Sequence, residues 1–183
     1  MLPIDHTVNT FFLGINSLFL TNAFSFVSWL FEPLAFTVVL LVSTLCVYKT
    51  YQHKHGQKSA LHDAIFFAAS PLLAAWLAWI LKIFINIPRP LIERVTAIGP
   101  SFPSAHAAVA TAYFLGILHF AKRDASKARR VLHYTFCILS ATCVGVSRLY
   151  LGVHWLSDVL AGYIIGAVAV YVCFHAYRFY KRM

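Results

Sequence analysis

The chain has 183 residues, of which 60% are hydrophobic and only 11% charged, with a mean hydropathy of +0.73. That is more apolar side chain than a soluble domain of this length can bury, which excludes the soluble globular classes and indicates an integral membrane protein. The net charge of +9 comes from basic residues lying between apolar spans, the pattern of topology-setting loops and not of a nucleic-acid-binding face.

Sixteen phenylalanines, with no ten-residue segments of alternating polarity, predict a helical bundle and not a β-barrel. Residues 5–20 place Val8, Phe11, Phe12, Ile15, Leu18 and Phe19 at helical spacing with Asn9 and Asn16 opposite. This predicts an amphipathic helix lying at the membrane interface, a sixth crossing being the alternative. The first span is expected from about Trp29 to Tyr48, and the polar stretch 49–62 reads as a loop. The second span covers about 63–86, with Asp63 placed for the positive end of its helix dipole. Residues 87–104 contain four prolines and predict an ordered, non-helical crossing loop.

The third span is expected at 105–121, then a basic loop over 122–130, a fourth span at 131–149 and a fifth at 155–177. The architecture is thus all-α: one membrane bundle over 1–183, with five transmembrane helices plus the N-terminal amphipathic helix. Gly162-x-x-x-Gly166 allows close helix approach within that bundle. Trp29 and Trp155 on one side, with Tyr177 and Tyr180 on the other, read as interface belts. Cys46, Cys137, Cys143 and Cys173 fall inside apolar spans without metal-type spacing and read as small buried hydrophobes, not disulfides. The first 48 residues hold no lysine or arginine, so the basic start of a signal peptide is missing.

Eleven of the fifteen Lys/Arg residues flank spans on one side, which the positive-inside rule assigns to the cytoplasm together with the C-terminus. The other four are Lys82, Arg89, Arg94 and Arg148, at or near the outer face. Glu93 and Arg94 are expected either to touch a headgroup or to pair with each other.

Residues 147–158 set an arginine, a histidine and an aspartate in strongly apolar sequence. Charged groups there cost roughly 2.5–3.5 kcal/mol each at a bilayer centre, so they mark a functional site. His154 and Asp158 are four apart, where a carboxylate on the same helix face can hold the imidazole. Gly152 can break the helix and turn Arg148 toward the same point. Two upstream pieces share that end of the bundle: Lys82 to Pro90, and Ser101 to His106. Cations together with a helix N-terminus make an anion site, and a phosphoryl group suits several fork-like donors.

In order, the pieces read Lys82-x6-Arg89-Pro90, then Pro103-Ser104-Ala105-His106, then Ser147-Arg148-x5-His154-x3-Asp158. The three together resemble the signature of the type-2 phosphatidic acid phosphatase family, with a catalytic core expected over 63–177. The resemblance implies an acid-phosphatase-like core and roles for single residues. His154 would attack phosphorus and form a phosphohistidine, Asp158 would orient it, and His106 would be the general acid. Lys82, Arg89, Ser104, Ala105 and Arg148 would bind the phosphoryl oxygens. It implies no metal and no cofactor. Ala105 departs from the family's glycine, and altered geometry or rate is expected there, not loss of activity.

The expected partners are a lipid phosphate and membrane lipids, with no nucleic acid and with the oligomeric state open. The reading is a lipid phosphatase of a bacterial inner membrane, its site facing the periplasm. Undecaprenyl diphosphate is the favoured substrate, with phosphatidylglycerol phosphate, phosphatidic acid and lipid A phosphate as rivals. An anion or proton transporter is the alternative of a different class. Transporters carry repeated halves and broken helices near the midplane, and neither is visible in the sequence.

Overall fold

A computed structural model describes residues 2–121 and 126–182, and seven helices account for most of them. In chain order these are α1 (Pro3–Gly14), α2 (Leu18–Trp29), α3 (Pro33–His55), α4 (Gln57–Ile85), α5 (Ala105–Ala121), α6 (Lys127–Tyr150) and α7 (Leu156–Arg182). Their ends follow local chemistry. Proline opens α1 and α3, where its missing N–H is no loss. The Ser17 and Ser126 side chains accept from the first-turn amides of α2 and α6. Asn86 closes α4 in the left-handed conformation that asparagine tolerates.

Two expected helix boundaries are corrected. The single N-terminal helix over 5–20 is two helices, because Ser17 ends one run by capping the next. The second of them, α2, carries Thr21, Ser25 and Ser28 at helical spacing among its apolar residues. The expected loop over 49–62 is helical on both sides of Gly56, which alone breaks the path at φ 79°. Polarity there reports exposure to water, not absence of helix. Of the basic stretch 122–130, residues 122–125 lie outside the described residues.

α4, α5 and α7 form the centre of the bundle, with α3 against α4, α6 against α5, and α1 and α2 against α6. The central seam is made of alanines (Ala74, Ala78, Ala108, Ala112 and Ala169), all fully buried. Small side chains let the backbones approach closely, the packing that membrane helices use where hydrophobic burial gives no drive. Gly162 and Gly166 belong to this seam. A Cβ on Gly162 would lie 2.5 Å from the Ser104 carbonyl oxygen, and one on Gly166 would strike the Ala108 carbonyl.

The outward surface is apolar, with Leu34, Leu72, Trp76, Trp79 and Phe84 all exposed. α3, α4, α6 and α7 are long and apolar enough to cross a membrane. The 17 residues of α5 reach about 26 Å, at the short limit for a crossing. The chain is an integral membrane protein. Cys46 and Cys143 lie on this exposed surface and only Cys137 is buried, which corrects the expectation that all four are interior.

At one end of the bundle the Tyr51 hydroxyl donates to the Phe120 carbonyl (3.2 Å) and the Tyr177 hydroxyl donates to Asp63 (2.6 Å). Lys181 stands 3.7 Å from the same carboxylate. Asp63 therefore serves a side-chain cluster and not the dipole of α4, whose first turn lies six residues earlier. The end holding His55, Gln57 and Lys127 is the basic one. The opposite end carries the loop over 86–104, the α6–α7 turn, and α1 and α2.

Candidate active site

The proline-rich crossing loop is held by backbone and side-chain ties. Ser101 N–H donates to the Ile87 carbonyl and its hydroxyl to Pro88 O. Trp155 Nε1 donates to the same Pro88 carbonyl at 3.0 Å. Trp155 is thus a buried tie between loop and α7, not the belt residue expected from sequence. Arg94 reaches the last carbonyls of α1 at Phe12, Leu13 and Ile15 (3.0–3.3 Å) and also the Tyr150 carbonyl. Its guanidinium stacks on the Tyr150 ring, 4.4 Å from the centroid. Arg94 therefore caps two helix C-termini. Glu93, expected from sequence as one of two alternative partners, is not among these contacts.

The α6–α7 turn depends on Gly152 at φ 72°. A Cβ there would run into the Ile92 carbonyl of the crossing loop, so both the conformation and the close approach require glycine. The turn lets Val153 N–H return to the Arg148 carbonyl at 3.2 Å. That places His154 beside the last turn of α6.

Lys82, Arg89, His106, Arg148 and His154 line one cavity of about 570 Å³, with Ala105 in the same wall. Lys82 Nζ donates to the Pro100 and Ser101 carbonyls (2.6 and 3.0 Å). Arg89 donates to Ile98, Gly99 and Val153 carbonyls. Both cations are held by carbonyls, which orient them without neutralising them. Burial in the first place pulls the Arg89 guanidinium below its ordinary value. Arg148 NH1 donates to the Ser28 hydroxyl, while its Nε is buried without a hydrogen-bond partner.

His154 Nδ1 lies 3.3 Å from Asp158 Oδ2, and the same oxygen accepts Trp155 N–H at 2.8 Å. The carboxylate is fully buried beneath the ring. Nε2 is then the ring nitrogen left for chemistry. Burial, then the neighbouring charges of Arg148, Arg89 and Lys82, hold the His154 imidazole well below its ordinary value, so the ring is neutral.

Ser104 and Asp158 stand behind the cavity wall. The Ser104 hydroxyl accepts from Ala107 N–H at 3.4 Å and is fully buried, while its own N–H donates to the Asp158 carbonyl. Here it works as the cap of α5 and as a tie between two motifs, and accepting from Ala107 leaves its O–H as a donor. Ala105 has negative φ, since Asn86 alone among the described non-glycine residues is positive. Its backbone accepts a Cβ without strain.

Three groups at the site escaped the sequence reading. Asp5 is buried and accepts Ser157 N–H (2.9 Å) and the Ser157 hydroxyl (3.0 Å), capping α7 from a distant helix. Burial opposes its charge, but those bonds and that from Leu2 N–H outweigh it, and its carboxyl sits below the usual value. Ser28, from α2, holds Arg148. Glu32, at the start of α3, brings a carboxylate into the cavity wall with Oε1 3.3 Å from His106 Nε2. That is ion-pair reach without hydrogen-bond alignment. Only six acidic residues occur in the chain, and their scarcity in apolar sequence was the available signal. Among the described residues no group of three or more His, Cys, Asp or Glu is placed to hold a metal ion.

The fold resembles solved membrane phosphatases. A Bacillus subtilis transmembrane PAP2-type phosphatidylglycerolphosphate phosphatase superposes with a TM-score of 0.77 at 22% identity, covering 98% of this chain and 85% of that one. Aquifex aeolicus LpxE superposes with a TM-score of 0.68 at 20% identity, over 96% of this chain and 99% of that one. In sequence, phosphatidylglycerophosphatase B of Bacillus subtilis (strain 168) is 35% identical over 75 residues, 39% of this chain and 36% of that protein. Human sphingosine-1-phosphate phosphatase 2 is 29% identical over 114 residues, 59% of this chain and 28% of that protein. The chain thus spans about a third of the length of these curated relatives. The sequence pattern of the PAP2 superfamily matches residues 63–182, which include all three motifs and the whole cavity wall contributed by α4 to α7. The chain belongs to the PAP2 superfamily.

Proposed function

We propose that this chain hydrolyses a lipid phosphate through a phosphohistidine, at the outer face of the membrane. One observation carries the reading. A neutral histidine backed by a buried carboxylate shares a cavity with three cations, and one donor of that wall, Arg148 Nε, is buried without a hydrogen-bond partner. A buried donor without a partner calls for a ligand, and an anion answers it.

His154 Nε2 attacks phosphorus, and the bond to the leaving oxygen breaks as His106 gives that oxygen a proton. Lys82, Arg89 and Arg148 stabilise the charge on the equatorial oxygens. Water then attacks the phosphohistidine, its proton passes to His106, and the P–N bond breaks to release phosphate. Asp158 holds the ring so that Nε2 faces phosphorus throughout.

Phosphatidylglycerophosphate and sphingosine 1-phosphate, the substrates in the relatives' names, are candidates, as is undecaprenyl diphosphate. The apolar surroundings support delivery of a lipid sideways from the bilayer. The basic residues at the opposite end support an outward-facing site and a cytoplasmic C-terminus, in what we read as a bacterial inner membrane. The test is phosphate release by purified protein from a panel of these lipids. His154→Ala should lower the rate at least about a thousandfold. Activity that survives this substitution would refute the phosphohistidine, and no release from any lipid would refute the phosphatase.

A further inference from the structure

Glu32 is the anomaly of the site. A cavity built to take an anion carries a carboxylate in its own wall, 3.3 Å from the proposed general acid. The side chain is half-exposed and makes no capping bond to α3, so the helix does not account for it. The neighbouring His106, in the first place, keeps its carboxyl below the ordinary glutamate value, against burial, and Arg148 adds to the effect. The group is therefore ionised at neutral pH.

The direction of attack fixes which part of a substrate meets this charge. In-line displacement puts the leaving oxygen opposite His154, on the side of His106, and Glu32 stands beside His106. The cavity wall there continues through Ser25, Ser28, Trp29 and Pro33, from the corner between α2 and α3. A phosphate monoester of about −2 charge sends a neutral alcohol into that corner. A diphosphate of about −3 charge sends a second phosphate there, directly against the carboxylate.

We propose that Glu32 is a specificity-determining residue that selects lipid monophosphates against lipid diphosphates, by placing negative charge where the leaving group departs. The proposal rests on the phosphatase reading and on the roles of His154 and His106. Leaving-group chemistry acts in the same sense. An alkoxide needs a proton from His106 more than a departing phosphate does. Selection by repulsion is a common way to build specificity.

The experiment measures kcat/KM for phosphatidic acid and for diacylglycerol diphosphate, which share one lipid body, in the same mixed vesicles. The unmodified chain should prefer the monophosphate. Glu32→Gln should shift the diphosphate-to-monophosphate ratio upward by about tenfold, and Glu32→Asp, which keeps the charge, should stay near the original ratio. A ratio that does not rise in Glu32→Gln overturns the proposal, whether both activities fall together or neither changes. An unmodified chain that prefers the diphosphate overturns it as well. If the unmodified chain releases phosphate from neither lipid nor from the wider panel, it is the phosphatase reading that fails, and the proposal with it.

Discussion

Each polar side chain at the site is oriented by a neighbour that sequence spacing alone does not name. His154 and Asp158 are an exception, since four residues on one helix face suffice to pair them. The state of the ring follows from its surroundings: buried, with Arg148, Arg89 and Lys82 nearby, its charged form is disfavoured. Protonation removes the lone pair on Nε2, and a depressed pKa moves that loss to lower pH. The acid limb of kcat/KM should therefore lie below pH 6.5, the ordinary imidazole value, when phosphate release is profiled from pH 4 to 9. An acid limb at or above that value would show that burial and the cations do not act on His154 as described. Ser104 shows a second use that the motif does not announce: its hydroxyl oxygen accepts the Ala107 amide because the first turn of α5 has amides to satisfy.

At the scale of elements, the N-terminal helices support the site, although they precede the segment that carries the family pattern. α1 supplies Asp5 to the first turn of α7, and the His6 ring meets Trp155 edge-on at 5.1 Å. α2 supplies Ser28 to Arg148. Arg94 locks the ends of α1 and α6 to the crossing loop. Asp5→Ala should lose about 1 kcal/mol of stability, the usual value of an N-cap, read as a lower Tm in detergent. It should also lower kcat more than it changes KM, because α7 carries Asp158 one residue beyond the capped Ser157. An unchanged Tm would mean that α7 starts as well without α1. Because the Asp5 carboxyl is held below its usual value, its contribution is present above the unfolded aspartate pKa. It is lost as pH falls through the folded value.

The whole molecule separates two chemistries at opposite ends of one bundle, an anion cavity at one and a basic, tyrosine-bridged face at the other. This polarity predicts orientation. In a chain with its native cysteines replaced, Leu91→Cys, at a fully exposed position of the crossing loop, should react with an impermeant thiol reagent in intact cells. Lys54→Cys, at the end of α3, should react only after permeabilisation. The reverse pattern would place the cavity on the cytoplasmic side.

By itself the sequence determined the membrane class, the approximate places of the long apolar helices and the three motifs. Apolar length, proline-rich interruption and charge spacing are local properties that survive without coordinates. The bounds of α5 agree with the expected third span because Ser104 and the prolines before it mark its start. Only the tertiary structure decided how Asp5, Ser28, Glu32 and Arg94 are used. Each meets partners from 56 to 152 positions away, through packing that no local pattern encodes. The seam that brings them together depends on Gly162, Gly166 and five alanines, whose small side chains let the backbones of α5 and α7 come close enough to join one motif to the next.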